Sequence, residues 1–146
     1  MRHISVVALA LLGTWLALGA GQSQFVTGLQ GAGISCRASA KSMARLELLF
    51  GTSRRHGAPI RDAEWTAFLD TVVTPRFPGG LTVLSGPGQW RGKDGQVEKE
   101  RALVLVVWYE PSNDADGHIE AIRSAFKQRF DQDSVMRVDG ASCVSF

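Results

Sequence analysis

Five polar or aromatic side chains have the types and the surroundings that could bind a ligand. Arg76 lies between Pro75 and Pro78, so the backbone that carries its guanidinium is stiff. A guanidinium held in this way could bind a carboxylate or a phosphate through two parallel hydrogen bonds. It could also bond the last carbonyl groups of a preceding helix, which is the preferred interpretation. The five candidates are Glu47, Arg76, Gln89, Trp90 and Arg91.

The other four candidates lie on predicted strands. Gln89, Trp90 and Arg91 follow Gly88 in a long hairpin. Their amide, indole and guanidinium could line a ligand or partner site, or the indole could cover the edge of the core. Glu47 alternates with Leu46 and Leu48, so it should lie on the sheet face away from the helices, or at its rim. There its carboxylate could be a general base or the partner of an arginine.

No motif for a metal, a nucleotide or a cofactor is complete. Residues 114–120 carry two aspartates, a histidine and a glutamate at alternate positions, which are metal-ligand types. They open a predicted helix, however, where acidic side chains are favoured by the helix dipole, and the EF-hand spacing is absent. A G-x-S-x-G, H-E-x-x-H or phosphate-loop pattern is also absent from the sequence. We therefore predict no metal and no cofactor, and the reaction, if any, stays unknown.

Length and charge limit the function classes. The 146 residues suit one domain, and 45% apolar with 21% charged residues indicate a globular chain. The formal net charge of +2 is too small to indicate binding to nucleic acid or to an acidic membrane surface.

The first 20 residues resemble a cleaved signal peptide. Arg2 and His3 form a short basic start, an uncharged apolar run of about 15 residues follows, and small residues precede a polar stretch. The run is shorter than the roughly 20 residues that span a membrane, which argues against an uncleaved anchor. A lipid anchor on Cys36 is disfavoured because Gly33 stands where a lipobox requires leucine. We therefore predict export to the periplasm or beyond, without a stable membrane anchor.

Two cysteines remain after export, Cys36 and Cys143, near the two ends of the mature chain. An oxidising compartment favours a structural disulfide between them. The alternative, a redox-active pair, is weaker because the C-x-x-C spacing is absent.

Hydrophobic spacing predicts four strands and two helices. In the predicted first helix, Trp65, Phe68 and Leu69 are spaced i, i+3 and i+4, which places them on one apolar face. Asp62 is the expected N-cap. Residues 102–109 are apolar on both faces, as in a central strand. The predicted strands are residues 46–50, residues 81–91 with an interruption at 86–88, residues 97–109 and residues 134–138; the predicted helices are residues 62–73 and 116–130.

The order strand, helix, strand, strand, helix, strand predicts a ferredoxin-like βαββαβ sandwich of the α+β class. Its four-stranded antiparallel sheet carries both helices on one face. In this fold the start of the first strand lies beside the end of the fourth, which agrees with pairing of Cys36 and Cys143. Residues 21–42 are predicted to be a flexible lead-in and residues 43–146 the single domain.

Several longer stretches are specific to a known family. They are residues 49–51, 64–65, 68–70, 73–78, 80–83, 88–91, 127–130, 132, 134–135 and 141–146. The chain resembles the domain of unknown function 3574 family of small exported bacterial proteins over about residues 36–146. In this chain Arg61 stands where relatives often have a capping serine, so capping would shift to Asp62. The resemblance implies export and a small domain, and it implies no known activity or catalytic residue.

Two function hypotheses follow. The first is a binding or assembly module that uses the open sheet face to form a homodimer. Leu49, Leu84, Val104, Val106 and Trp108 are expected on that face, and an apolar face of this size needs a cover. The second is a small ligand-binding protein or enzyme with a site near Glu47, Arg76, Gln89 and Trp90. The first is preferred.

Overall fold

The computed structural model describes residues 34–92 and 95–146. The predicted signal peptide and residues 21–33 of the predicted lead-in lie outside the described residues. Within the described ranges, neither helix combines the length and the apolar character that crossing a membrane requires.

Four strands form one antiparallel sheet in the order β2-β3-β1-β4. This order, with two helices in the crossovers, confirms the predicted ferredoxin-like α+β sandwich. The elements are β1 (Lys41–Gly51), α1 (Asp62–Phe68) with a π-helical turn (Leu69–Val73), β2 (Thr82–Arg91), β3 (Val97–Tyr109), α2 (Ala115–Phe130) and β4 (Met136–Val144).

Alternation along the central strands separates the two faces of the sheet. In β1, Leu46, Leu48 and Phe50 are buried beneath the helices, whereas Glu47 and Leu49 point to the opposite side. We call that opposite side the open face. In β3, residues 103, 105 and 107 face the helices in the same way, opposite residues 50, 48 and 46 of β1.

Aromatic rings fill the space between the sheet and the helices. Phe126 of α2 lies 4.5 Å from Phe50, 5.3 Å from Phe68 and 4.9 Å from Phe130, measured between ring centroids. Trp65 of α1 adds a further edge contact at 6.1 Å. Phe126 is therefore the centre of a ring cluster that joins both helices to β1.

Three strands differ in extent from the sequence prediction. β1 starts at Lys41 rather than at residue 46, because the ladder with β4 begins at the pair Lys41 and Val144. Residues 41–45 are not all apolar, so their hydrophobic pattern does not indicate a strand. β2 continues without interruption through Pro87, since β2 is an edge strand and a proline there removes no ladder hydrogen bond. β4 starts two residues later than predicted and runs to Val144.

The first helix begins and ends differently from the prediction. The N-cap is Arg61 and not Asp62, because the Glu64 carboxylate reaches back to accept the Arg61 backbone N–H at 3.1 Å. At the other end, the Thr74 N–H donates to the Leu69 carbonyl, an i to i−5 bond that forms the π-helical turn. The predicted span of residues 62–73 is otherwise correct.

The capping carboxylate of Glu64 makes stability depend on pH. Hydrogen bonds from Arg54 and then from Arg61 lower the pKa of Glu64 from 4.5 to about 2. A carboxylate with a depressed folded-state pKa stabilises the fold above its unfolded pKa, and this stabilisation is lost as pH falls toward the folded value. We expect the free energy of unfolding to fall between about pH 4.5 and pH 2, and less steeply in Glu64→Gln.

Urea unfolding at several pH values in this window tests the prediction. Glu110→Gln is the matched control, because Glu110 is largely exposed and lies 3.7 Å from Lys41 in a surface ion pair. Equal pH slopes for the parent chain and Glu64→Gln would contradict the role assigned to this carboxylate.

A disulfide joins Cys36 to Cys143, with 5.5 Å between their Cα atoms. This confirms the predicted pairing. Cys36 precedes β1, and Cys143 faces Ser42 of β1 across the β1–β4 ladder. The bridge therefore fastens the segment before the first strand to the end of the last one.

Candidate functional site

The open face carries large apolar side chains that the helices do not cover. Strand register places all five predicted residues there, including Leu84 opposite Val104 and Trp108 opposite Arg45. Five large side chains on this face are between 40% and 61% exposed. They are Leu84, Trp90, Trp108, Met136 and Val138.

An ion pair lies in the middle of the open face. Arg45 and Glu47, two residues apart on β1, are 2.6 Å from each other. The Arg45 guanidinium also lies over the Trp108 ring, 5.7 Å from its centroid. Of the two roles considered for Glu47, a general base or the partner of an arginine, the second is present in the structure.

At the hairpin end of the open face, Trp90 and Glu100 converge over Gly51. A side chain at Gly51 would collide with both the Trp90 ring and the Glu100 carboxylate. One oxygen of Glu100 accepts the Ser53 backbone N–H at 2.6 Å, and the other is buried without a hydrogen-bond partner within the described chain. Glycine at position 51 therefore allows the ring to cover the carboxylate.

A cleft of about 700 Å³ lies at the opposite end of the sheet. Its walls come from the turn after the π-helical segment, the end of β3 and the first turn of α2. Arg76 lines this cleft and donates to the Val72 carbonyl at 2.6 Å. The helix-capping role preferred for Arg76 is therefore present in the structure.

Aromatic and polar groups share the walls of this cleft. Phe77 is buried and packs 5.3 Å from the Tyr109 ring and 6.5 Å from the His118 ring. Burial is the main cause that raises the pKa of Tyr109. The Asp114 carboxylate lies 3.8 Å from His118 and accepts a hydrogen bond from the Ser112 hydroxyl at 2.6 Å. That hydrogen bond lowers the pKa of Asp114.

Comparison with known proteins identifies the family. The model of the protein of unknown function family DUF3574 matches residues 45–146, which is more than two thirds of the chain. The chain belongs to the DUF3574 family. No curated protein matches its sequence significantly.

Solved structures show the same fold in a distant protein. A phage SAM lyase in complex with S-methyl-5'-thioadenosine is 13% identical and superposes with a TM-score of 0.54. The match covers 77% of the DUF3574 chain and 95% of the lyase chain. The phage SAM lyase in its apo state superposes with a TM-score of 0.50, at 13% identity and the same coverage of both chains. At this identity the likeness establishes the fold alone.

The five predicted site residues of this DUF3574 protein lie in separate places. Glu47 and Trp90 share the open face but lie at its middle and its hairpin end. Gln89 and Arg91 alternate to the other side of β2, and Arg91 donates to the Gly95 carbonyl at 2.8 Å. Of the five, Arg76 alone lines the large cleft. Ligand binding by any of them stays a prediction.

The acidic stretch at the start of α2 binds an arginine that sequence reasoning did not connect with it. Arg137 of β4 lies 2.6 Å from Asp116 and 2.9 Å from Glu120, and it also contacts Asp139. These carboxylates raise the pKa of Arg137, and arginine hydrogen bonds lower that of Glu120. The partners come from β4 and α2, so only the folded structure reveals that this cluster joins two elements.

Proposed function

We propose that this DUF3574 protein is an exported assembly module that forms a homodimer by packing two open faces together. The observation that carries the proposal is the set of exposed apolar side chains on one side of the sheet, including Met136 at 61% and Leu84 at 57% exposure. Removing such side chains from water is favourable by about 25 cal/mol per Å² of apolar surface, from which the entropic cost of association is subtracted.

The size of the face suits a second copy of the chain. Four strands about 4.8 Å apart and about 30 Å long present roughly 570 Å², or about 1,150 Å² for two copies. A biological interface should bury at least about 1,000 Å² in total, so nearly the whole face would have to take part.

The charges on the face also favour a copy of itself. A two-fold interface brings the same patch together twice, so the patch must be complementary to itself. Arg45 and Glu47 carry opposite charges two residues apart on the same strand. Two such pairs can meet without like charges facing each other, and Arg45 of one copy can bond Glu47 of the other.

Export is supported by two features of different kinds. Disulfides persist in oxidising compartments, and the Cys36–Cys143 bridge is of this kind. The first 20 residues carry the basic, apolar and small-residue order of a signal peptide. Together they favour assembly in the periplasm or outside the cell.

A charge placed on the open face should prevent the dimer. We expect the purified disulfide-bonded chain to show twice the monomer mass in light scattering, and Val138→Lys to show the monomer mass. The lysine would have to be desolvated in the interface, and Glu47, which lies opposite position 138 on β1, is already paired with Arg45. Val138 is 44% exposed.

Val97→Lys is the matched control, because Val97 is 52% exposed and lies on the opposite side of the sheet. It should stay dimeric. A parent chain that is monomeric across a concentration series, or a dimer that survives Val138→Lys, would overturn the proposed use of the face.

A further inference from the structure

One arginine of the described chain is half buried and has no carboxylate partner there. Four described arginines form no ion pair with a described acidic residue: Arg37, Arg76, Arg91 and Arg129. The other three are exposed, whereas Arg76 is half buried in the cleft. Because Arg76 is partly removed from water and has no anionic partner among the described residues, it is the described arginine best placed to hold an anion in the cleft.

The geometry around Arg76 leaves part of the guanidinium available. One terminal nitrogen donates to the Val72 carbonyl at 2.6 Å, which fixes the orientation of the plane. The guanidinium has five N–H donors, and no other bond from it is present within the described residues. Pro75 and Pro78 restrict the backbone on either side, and the buried Phe77 anchors the turn. Little conformational freedom would be lost on binding.

Among the described residues, two acidic side chains line the cleft, and each has another partner. Asp114 accepts from Ser112 and pairs with His118, and Glu110 pairs with Lys41. Neither carboxylate forms an ion pair with Arg76. The positive charge of Arg76 is therefore left for an external anion.

The remaining walls of the cleft are suited to a flat ring. Phe77 and Tyr109 line it on the helix side of the sheet, and its volume of about 700 Å³ is in the range of small-molecule sites. Aromatic side chains bind rings by stacking or edge contacts. We propose that the cleft binds a small aromatic anion, with its carboxylate or phosphate on Arg76 and its ring against these side chains.

The proposed anion site does not rest on the proposed dimer, but the two surfaces overlap, since Met43, Thr82, Val106 and Trp108 lie on the open face and also line the cleft. Phenyl phosphate and benzoate are the two probes. Their binding to the purified chain is measured from changes in the NMR chemical shifts of its amide and indole groups. We expect saturable shifts confined to residues around Arg76, Phe77 and Tyr109. Inorganic phosphate, which lacks the ring, and phenol, which lacks the charge, should each bind at least about tenfold more weakly.

Substitution of the arginine separates a true site from a general effect of charge. Arg76→Gln should weaken phenyl phosphate binding at least about tenfold, because a charge-assisted hydrogen-bonded pair is lost. Arg76→Lys keeps the charge and a donor for the Val72 carbonyl, so it should fold and bind with intermediate affinity. Arg129→Gln is the matched control, since Arg129 is exposed, does not line the cleft and lies in the last turn of α2, whereas the cleft is lined by the first turn; it should bind as the parent does.

Three results would overturn the proposal. They are the absence of saturable shifts with both aromatic anions, equal binding by the parent and by Arg76→Gln, and shifts that report a site elsewhere. If Arg76→Gln does not fold, Arg76→Lys provides the test. Binding by Arg76→Lys equal to that of the parent would then overturn the proposed contact between the anion and the guanidinium. Binding by Val138→Lys, measured alongside, distinguishes loss of the cleft site from loss of the dimer.

Discussion

Phe126→Ala is expected to lower the free energy of unfolding by about 3–5 kcal/mol, the range for truncating a buried phenylalanine. The Phe126 side chain is completely buried and its ring contacts Phe50, Trp65, Phe68 and Phe130. Removing it leaves a cavity between both helices and the sheet, because the surrounding side chains relax only partly into the space. Urea unfolding followed by far-UV circular dichroism measures the change.

Phe146→Ala is the matched control for this experiment. It makes the same chemical change at the C-terminal residue, whose side chain is fully exposed. We expect a change within about 0.5 kcal/mol, as for most surface substitutions. A loss at Phe126 no larger than the loss at Phe146 would show that the ring cluster does not hold the helices on the sheet.

The second large effect concerns the bridge between Cys36 and Cys143. Replacing both cysteines by serine should lower the free energy of unfolding by about 3–5 kcal/mol. The two cysteines are 107 residues apart in sequence, so the bridge restricts nearly the whole unfolded domain. Loss of that restriction gives the unfolded chain more conformations and shifts the equilibrium toward it.

Reduction of the parent chain with dithiothreitol should give the same loss as the double substitution. The Cys36→Ser/Cys143→Ser variant itself should be insensitive to the reductant, which controls for effects unrelated to the bridge. Unchanged stability of the parent on reduction would contradict the prediction and show that the bridge does not restrict the unfolded chain as expected.

The layered architecture could be predicted because its signal is local. Leu46, Leu48 and Phe50 alternate with Glu47 and Leu49, and this period of two fixes which side of β1 is buried. The three-and-four spacing from Trp65 to Phe68 and Leu69 does the same for the first helix. These patterns depend on neighbours in sequence, so the elements and the two faces of the sheet were correctly assigned.

Features that depend on contacts between distant residues were missed or misplaced. The start of β1 at Lys41 is set by its ladder with β4, which the polar residues near Lys41 do not indicate. The N-cap at Arg61 depends on a reaching Glu64 carboxylate rather than on the cap's own side chain. The cluster around Arg137 requires that β4 lie next to the first turn of α2.

The candidate site was predictable in part for the same reason. The prolines around Arg76 are local and indicated a fixed guanidinium, and the structure places that guanidinium in a cleft. The alternation of Gln89, Trp90 and Arg91 along β2 is also local, and it puts neighbours in sequence on opposite sides of the sheet. A group of residues close in sequence on a strand is therefore not a group in space.

The bridge also turns most of the domain into a closed covalent ring. Any single peptide bond cut by a protease between Cys36 and Cys143 opens the ring without releasing a fragment. The two pieces stay linked through sulfur, and the strand pairs and ring contacts that hold them can persist across the break. Separation requires a second cut or a reductant, so one nick in an exposed loop, the usual site of proteolytic attack, leaves a molecule of almost unchanged mass.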